Sequence, residues 1–125
     1  MEIREPVVGE LSTHILDTMH GRPAADVKVE LLRVGQDGTA TLIATTRTNN
    51  NGRTNEPLVA GERFVAGAYE LRFHVGEYFR GAAASLSDPP FLDVVPVWFR
   101  VTEPAQRYHV PLLVTPWSYS TYRGS

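Results

Sequence analysis

Short segments in which apolar and polar residues alternate, cut apart by glycine and proline, run through the chain, while the 3.6-residue spacing of an amphipathic helix is scarce. Tyr69, Leu71 and Phe73 alternate with Glu70, Arg72 and His74, which predicts a strand with one face in a core and one in water. Val27, Val29 and Leu31 share a face of a segment from about Val27 to Arg33. Gln36-Asp37-Gly38 then turns the chain into a strand from about Ala40 to Arg47. An earlier strand runs from about Leu11 to Asp17 and stops at His20-Gly21-Arg22-Pro23. Two long strands, about Asp93 to Val101 and Gln106 to Val114, and a last one from Trp117 to Tyr122 complete the pattern. The expectation is an all-β, two-sheet sandwich of seven to eight strands.

Two features refine this picture. Pro96 cannot donate to a ladder, so its strand should lie at a sheet edge or carry a bulge. Three alanines in the stretch Arg80 to Leu86, before Pro89-Pro90, predict the one short helix.

The last strands are unusual. Tyr108, Val110, Leu112 and Val114 form one face, yet the other carries Pro111 and Leu113 beside His109. In the final strand Trp117 and Tyr119 are expected on the core side, opposite Ser118, Ser120 and Tyr122. A second face without charge needs its own cover, and another subunit would supply it.

With 125 residues the chain is one domain's worth, and no linker or repeat divides it. A net charge of −2 offers no footprint for nucleic acid. The absence of cysteine removes disulfides, thiolate metal sites and thiol nucleophiles together. No run of about 18 apolar residues suggests a membrane span. An acidic start without an apolar core segment makes a cytoplasmic location the default.

Four histidines carry most of the candidate chemistry. His20 beside a Gly-Arg-Pro turn and His74 at a polar strand position read as plain surface residues. His14 and His109 sit on apolar strands, where an imidazole is either a satisfied interface residue or an acid-base group, and pattern alone leaves both open. Between Pro104 and Ser125 there is no Asp or Glu, but there are Arg107, His109 and Arg123. A face built there and joined by Arg53, from the Asn51-Gly52 loop, would attract an electron-rich ligand and could stabilise an oxyanion. Ser12, His14 and Asp17 suggest a triad, but Asp17 points to the opposite strand face from His14. Water is then the natural nucleophile, and no metal or cofactor is implied.

Three separated motifs carry a resemblance. Leu11-Ser12-Thr13-His14-Ile15-Leu16-Asp17 with Gly21-Arg22-Pro23-Ala24 is the first, and Asn51-Gly52-Arg53-Thr54 is the second. The third runs from Tyr108-His109-Val110-Pro111 to Pro116-Trp117-Ser118-Tyr119-Ser120-Thr121-Tyr122-Arg123-Gly124-Ser125. Together they resemble the transthyretin-related 5-hydroxyisourate hydrolases of purine catabolism, over residues 11–125, leaving 1–10 as an N-terminal extension.

The resemblance implies a transthyretin-like sandwich, assembled as a homotetrameric dimer of dimers with sites in the channel between dimers, and free of cofactor. It implies that water opens the six-membered ring of 5-hydroxyisourate, a purine-derived small molecule, to give 2-oxo-4-hydroxy-4-carboxy-5-ureidoimidazoline in urate degradation. Carried onto this chain, His14 and His109 flank the water, Arg53 binds substrate and steadies the developing charge, Tyr122 walls the pocket, and Ser125 orients the network. The competing reading is a transthyretin-like carrier of a planar aromatic ligand, which would need an open channel, whereas Tyr122 should narrow it. A secreted structural module fits less well, given no sequon and no cysteine.

Overall fold

The computed structural model describes residues 9–82 and 86–124. Alternation produces strands where it was expected, but two of the long ones are interrupted. The first divides into β1 (Glu10–Ser12) and β2 (Ile15–Asp17), followed by a two-residue strand β3 (Arg22–Pro23). The hairpin β4 (Lys28–Val34) and β5 (Ala40–Arg47) turns at Gly38, and a short β6 (Val59–Ala60) follows the loop after it. β7 (Gly67–His74) runs directly into the helix α1 (Val75–Ala82), and β8 (Val94–Val101) completes that half. The remaining strands are β9 (Arg107–His109), β10 (Leu112–Val114) and β11 (Tyr119–Thr121).

The described residues thus hold eleven strands, seven of them only two or three residues long, where seven to eight were expected. The excess comes from the breaks at Thr13-His14 and Val110-Pro111 and from β3 and β6, which are too short to leave a periodic signal.

One layer is the sheet β5-β4-β7-β8, antiparallel throughout, with Pro96 on the edge strand as its missing donor requires. The other is drawn from β6-β1-β9 and β11-β10-β2-β3. These two sheets are halves of one: β1 pairs β9 in parallel with Glu10 opposite Arg107, and β2 pairs β10 with Ile15 opposite Leu112, an unchanged register. Val110 N–H donating to Ser12 O and Leu112 N–H donating to His14 O carry the pairing past Pro111, which has no N–H to give. The buried Thr13 hydroxyl adds a bond to Val110 O at 2.8 Å.

Between the layers lie Leu11, Ile15, Tyr108 and Leu112 from one side and Val29, Leu31, Leu71 and Phe73 from the other. Each fully buried side chain of this kind contributes roughly 1.5–3 kcal/mol. The fold is an all-β sandwich with one helix, and its register puts Ser12, His14 and His109 on the face turned away from this core.

Several expectations need correction. The helix begins at Val75, earlier than the alanine run, because Val75 and Phe79, four residues apart, are buried against the core and Tyr78 is half-buried beside them. Of Arg80 to Leu86, Arg80 to Ala82 is helical and Leu86 is not, while 83–85 lie outside the described residues. Trp117 and Tyr119 do not face the core: they are 57% and 44% exposed, and all of β11 is open on its single-chain surface. Glu70 is not in water but buried, ion-paired with Arg72.

His20 and His74 are also not free surface residues. The His20 ring donates from Nδ1 to the fully buried Asp17 carboxylate at 2.7 Å, and Tyr78 donates to the same carboxylate at 2.7 Å. His74 Nε2 lies 2.5 Å from Glu30 Oε1.

Candidate active site

The site grows from the interrupted strands. A residue two places from His14 shares its face, and Leu11, Thr13 and Ile15 are all buried on the opposite one, so Ser12 and His14 both look outward. The parallel register sets His109 directly opposite Ser12. Gly124 pairs antiparallel with His109 from the other side, and its N–H donates to His109 O at 2.7 Å. Ser12, His109 and Gly124 therefore form one row across the sheet.

Arg53 arrives through a loop rather than a strand. Asn49 Oδ1 accepts the N–H groups of Asn51 (2.9 Å) and Arg53 (3.2 Å), and the backbone closes with Gly52 N–H to Asn49 O at 2.9 Å. Gly52 has φ 74°, and a Cβ there would stand 2.4 Å from Ile15 O, so only glycine lets the loop lie against β2. Ile15 N–H donates to Gly52 O at 2.8 Å, and Arg53 forms a bridge with His14. Sequence reasoning saw the Asn-Gly turn but not the organising role of Asn49, for which the short side chain ahead of Asn-Gly is the available signal.

Each imidazole is held at one nitrogen. His14 Nε2 lies 2.9 Å from Asn51 O, a carbonyl that only accepts, so Nε2 carries the proton. His109 Nδ1 lies 2.8 Å from Ser12 Oγ, and its Nε2 has no hydrogen-bond partner among the described residues. Both rings are held below the ordinary histidine value of 6.5. For His14 burial does most of this, the Arg53 charge adds to it, and the bond to Asn51 partly opposes it. For His109 burial again leads, followed by Arg53 and then His14. Two half-buried imidazoles kept neutral beside a permanently charged guanidinium can take and return a proton near neutral pH.

Of the expected site residues, His14, Arg53 and His109 come together. Tyr122 is 60% exposed and lines a cleft of about 290 Å³ with Val97, Tyr108 and Arg123, where the edges of the two layers meet. Ser125 lies outside the described residues. Ser12 and Asp17 take no part in a triad with His14: Ser12 bonds His109 and Asp17 bonds His20. Among the described residues no cluster of three His, Asp or Glu could hold a metal ion, and no helix is long and apolar enough to cross a membrane.

The HIUase/Transthyretin family profile matches residues 11–124. The chain belongs to that family. Within the family it is 54% identical over 115 residues to a 5-hydroxyisourate hydrolase of Deinococcus radiodurans, covering 92% of this chain and 95% of that one. Solved family structures superpose closely. A 5-hydroxyisourate hydrolase of Klebsiella pneumoniae gives a TM-score of 0.75 at 33% identity, with 94% of each chain covered. Sea bream transthyretin in complex with thyroxine gives 0.82 at 31% identity, covering 92% of this chain and 94% of that one. The family fold thus includes both a hydrolase and a transthyretin that binds thyroxine, and the site residues have to decide between such readings.

Proposed function

We propose that this chain hydrolyses 5-hydroxyisourate, opening its six-membered ring to 2-oxo-4-hydroxy-4-carboxy-5-ureidoimidazoline in urate degradation. The observation that carries the reading is the placement of His14 and His109 on one outward face, with Arg53 bridged to His14 and each ring held at one nitrogen. Water addition to a carbonyl needs a group that takes and returns a proton, and such a pair supplies it. The 54% identity to the Deinococcus radiodurans hydrolase supports the same reading.

In this mechanism water sits between the two imidazoles and attacks a ring carbonyl as it gives up a proton. Arg53 holds the carbonyl oxygen and stabilises the negative charge that develops there. The ring C–N bond then breaks and the departing nitrogen receives a proton from the imidazolium. Water, imidazole and guanidinium suffice for this step, and no redox change occurs.

The same reading includes a homotetramer with sites in the channel between dimers, where Tyr122 and Ser125 would complete the pocket wall. Its support is the apolar surface that a single chain leaves open around β11: Trp117, Tyr119 and Tyr122 are 57%, 44% and 60% exposed. A cytoplasmic location belongs to it too, supported by the cysteine-free composition.

Generating 5-hydroxyisourate with urate oxidase and following its ultraviolet decay tests the activity. The wild-type chain should accelerate the decay, and His14→Asn or His109→Asn should each remove about 10² to 10⁴ of it with circular dichroism unchanged. Decay at the uncatalysed rate with folded wild-type protein would return the chain to the carrier reading. Light scattering should give a mass four times that of the chain; a monomer would remove the channel.

A further inference from the structure

Ser12 was singled out by the sequence for a triad it does not form, and the structure gives it a different partner. Its Oγ stands 2.8 Å from His109 Nδ1. The contact is built rather than incidental, because the backbones on both sides are tied: Val110 N–H to Ser12 O at 3.0 Å, and Gly124 N–H to His109 O at 2.7 Å. The ring is also confined at its other edge, where a Cβ on Gly124 would come within 2.7 Å of Cδ2.

This matters because the two ring nitrogens are not equivalent. An imidazole that accepts a proton from water at Nε2 becomes an imidazolium with a proton on Nδ1 as well, and that second N–H needs an acceptor. A serine oxygen supplies one in the neutral ring and in the charged ring alike. If Ser12 instead donated its proton to Nδ1, the lone pair would be occupied there and Nε2 would carry hydrogen, leaving His109 nothing to offer water. His14 is held the other way round, with its Nε2–H on Asn51 O.

We infer that Ser12 is a positioning residue for the ring opening: by accepting the Nδ1–H of His109 it points the Nε2 lone pair at the attacking water. The inference rests on the hydrolase reading above. One water O–H bond breaks and its proton goes to His109 Nε2 as the oxygen bonds the carbonyl carbon. The ring C–N bond then breaks, and the same proton passes to the departing nitrogen. Ser12 stays bonded to Nδ1–H throughout and touches no reacting atom, much as a third group orients the base in other hydrolytic sites.

The test combines kinetics with a readout independent of activity. Two-bond proton–nitrogen NMR of the full chain should find the neutral His109 protonated on Nδ1. In Ser12→Ala the proton should move toward Nε2, the site a free imidazole prefers. Ser12→Ala should lower kcat roughly tenfold, the weight of a single net hydrogen bond, with KM changed less than twofold. Ser12→Thr, which keeps the hydroxyl, should restore both kcat and the tautomer. Overturning results are a wild-type His109 protonated on Nε2, an unchanged kcat in Ser12→Ala, or a loss that Ser12→Thr does not relieve. A wild-type chain inactive on 5-hydroxyisourate overturns the hydrolase reading and Ser12's part in it, while the tautomer still reports the contact by itself.

Discussion

Gly124 lies so close to the imidazole of His109 that a Cβ added to it would stand 2.7 Å from Cδ2. Its backbone N–H donates to His109 O, so the glycine both pairs with the strand that carries His109 and leaves room for its ring.

Gly124→Ala should therefore displace the ring without unfolding the sandwich, since the substitution lies on the face away from the core. A loss of at least about tenfold in kcat is expected, because a small misplacement of a catalytic group costs up to about 10²-fold. Steady-state kinetics alongside thermal unfolding would check it, and full activity would mean that the His109 ring has freedom to move.

Arg53→Ala should lower kcat/KM by about 10² or more, and Arg53→Glu should lower it further. In the proposed mechanism the alanine removes the cation that stabilises the developing oxyanion, whereas a carboxylate also repels an electron-rich substrate. Equal effects in the ultraviolet assay would argue that Arg53 acts by packing alone.

The pH dependence has a definite sign. In the proposed mechanism an imidazole must be neutral to accept the proton of water, and both rings are held below 6.5, by burial first and then by Arg53. The acid limb of kcat/KM should lie below pH 6.5, and Arg53→Ala should move it upward by removing one of the depressing causes. Stability follows the same order: in the unfolded chain these rings protonate near 6.5, so their contribution is complete above that value and is lost as pH falls through the lowered ones. A pH–rate profile and urea unfolding at several pH values would test both statements.

Asp17→Asn should destabilise the fold by about 1–3 kcal/mol, the cost of leaving a buried polar group mismatched. The carboxylate is fully buried and accepts from His20 N–H at 3.0 Å, from His20 Nδ1 at 2.7 Å and from the Tyr78 hydroxyl at 2.7 Å. Burial pushes its carboxyl up, yet the bonds from Tyr78 and His20 together hold it below the ordinary range. An asparagine presents a donor where one of those donors must be met. An unchanged urea midpoint would show that the bond set is dispensable.

By itself the sequence determined what depends on neighbours along the chain. Period-two alternation marked the strands, Pro96 marked an edge because a missing N–H is a local property, and Asn51-Gly52 marked a turn because positive φ is one. The three motifs carried His14, Arg53 and His109 with them. Tertiary structure alone decided what depends on register and packing. The start of α1 follows from which side chains meet the core, and alanine propensity could not reveal it. Asp17 found His20 and Tyr78 rather than His14 because the strand face it occupies is closed by the helix. Ser12 and His109 stand opposite each other through a parallel pairing of segments 97 residues apart, and such a pairing leaves no trace in the local pattern of either one.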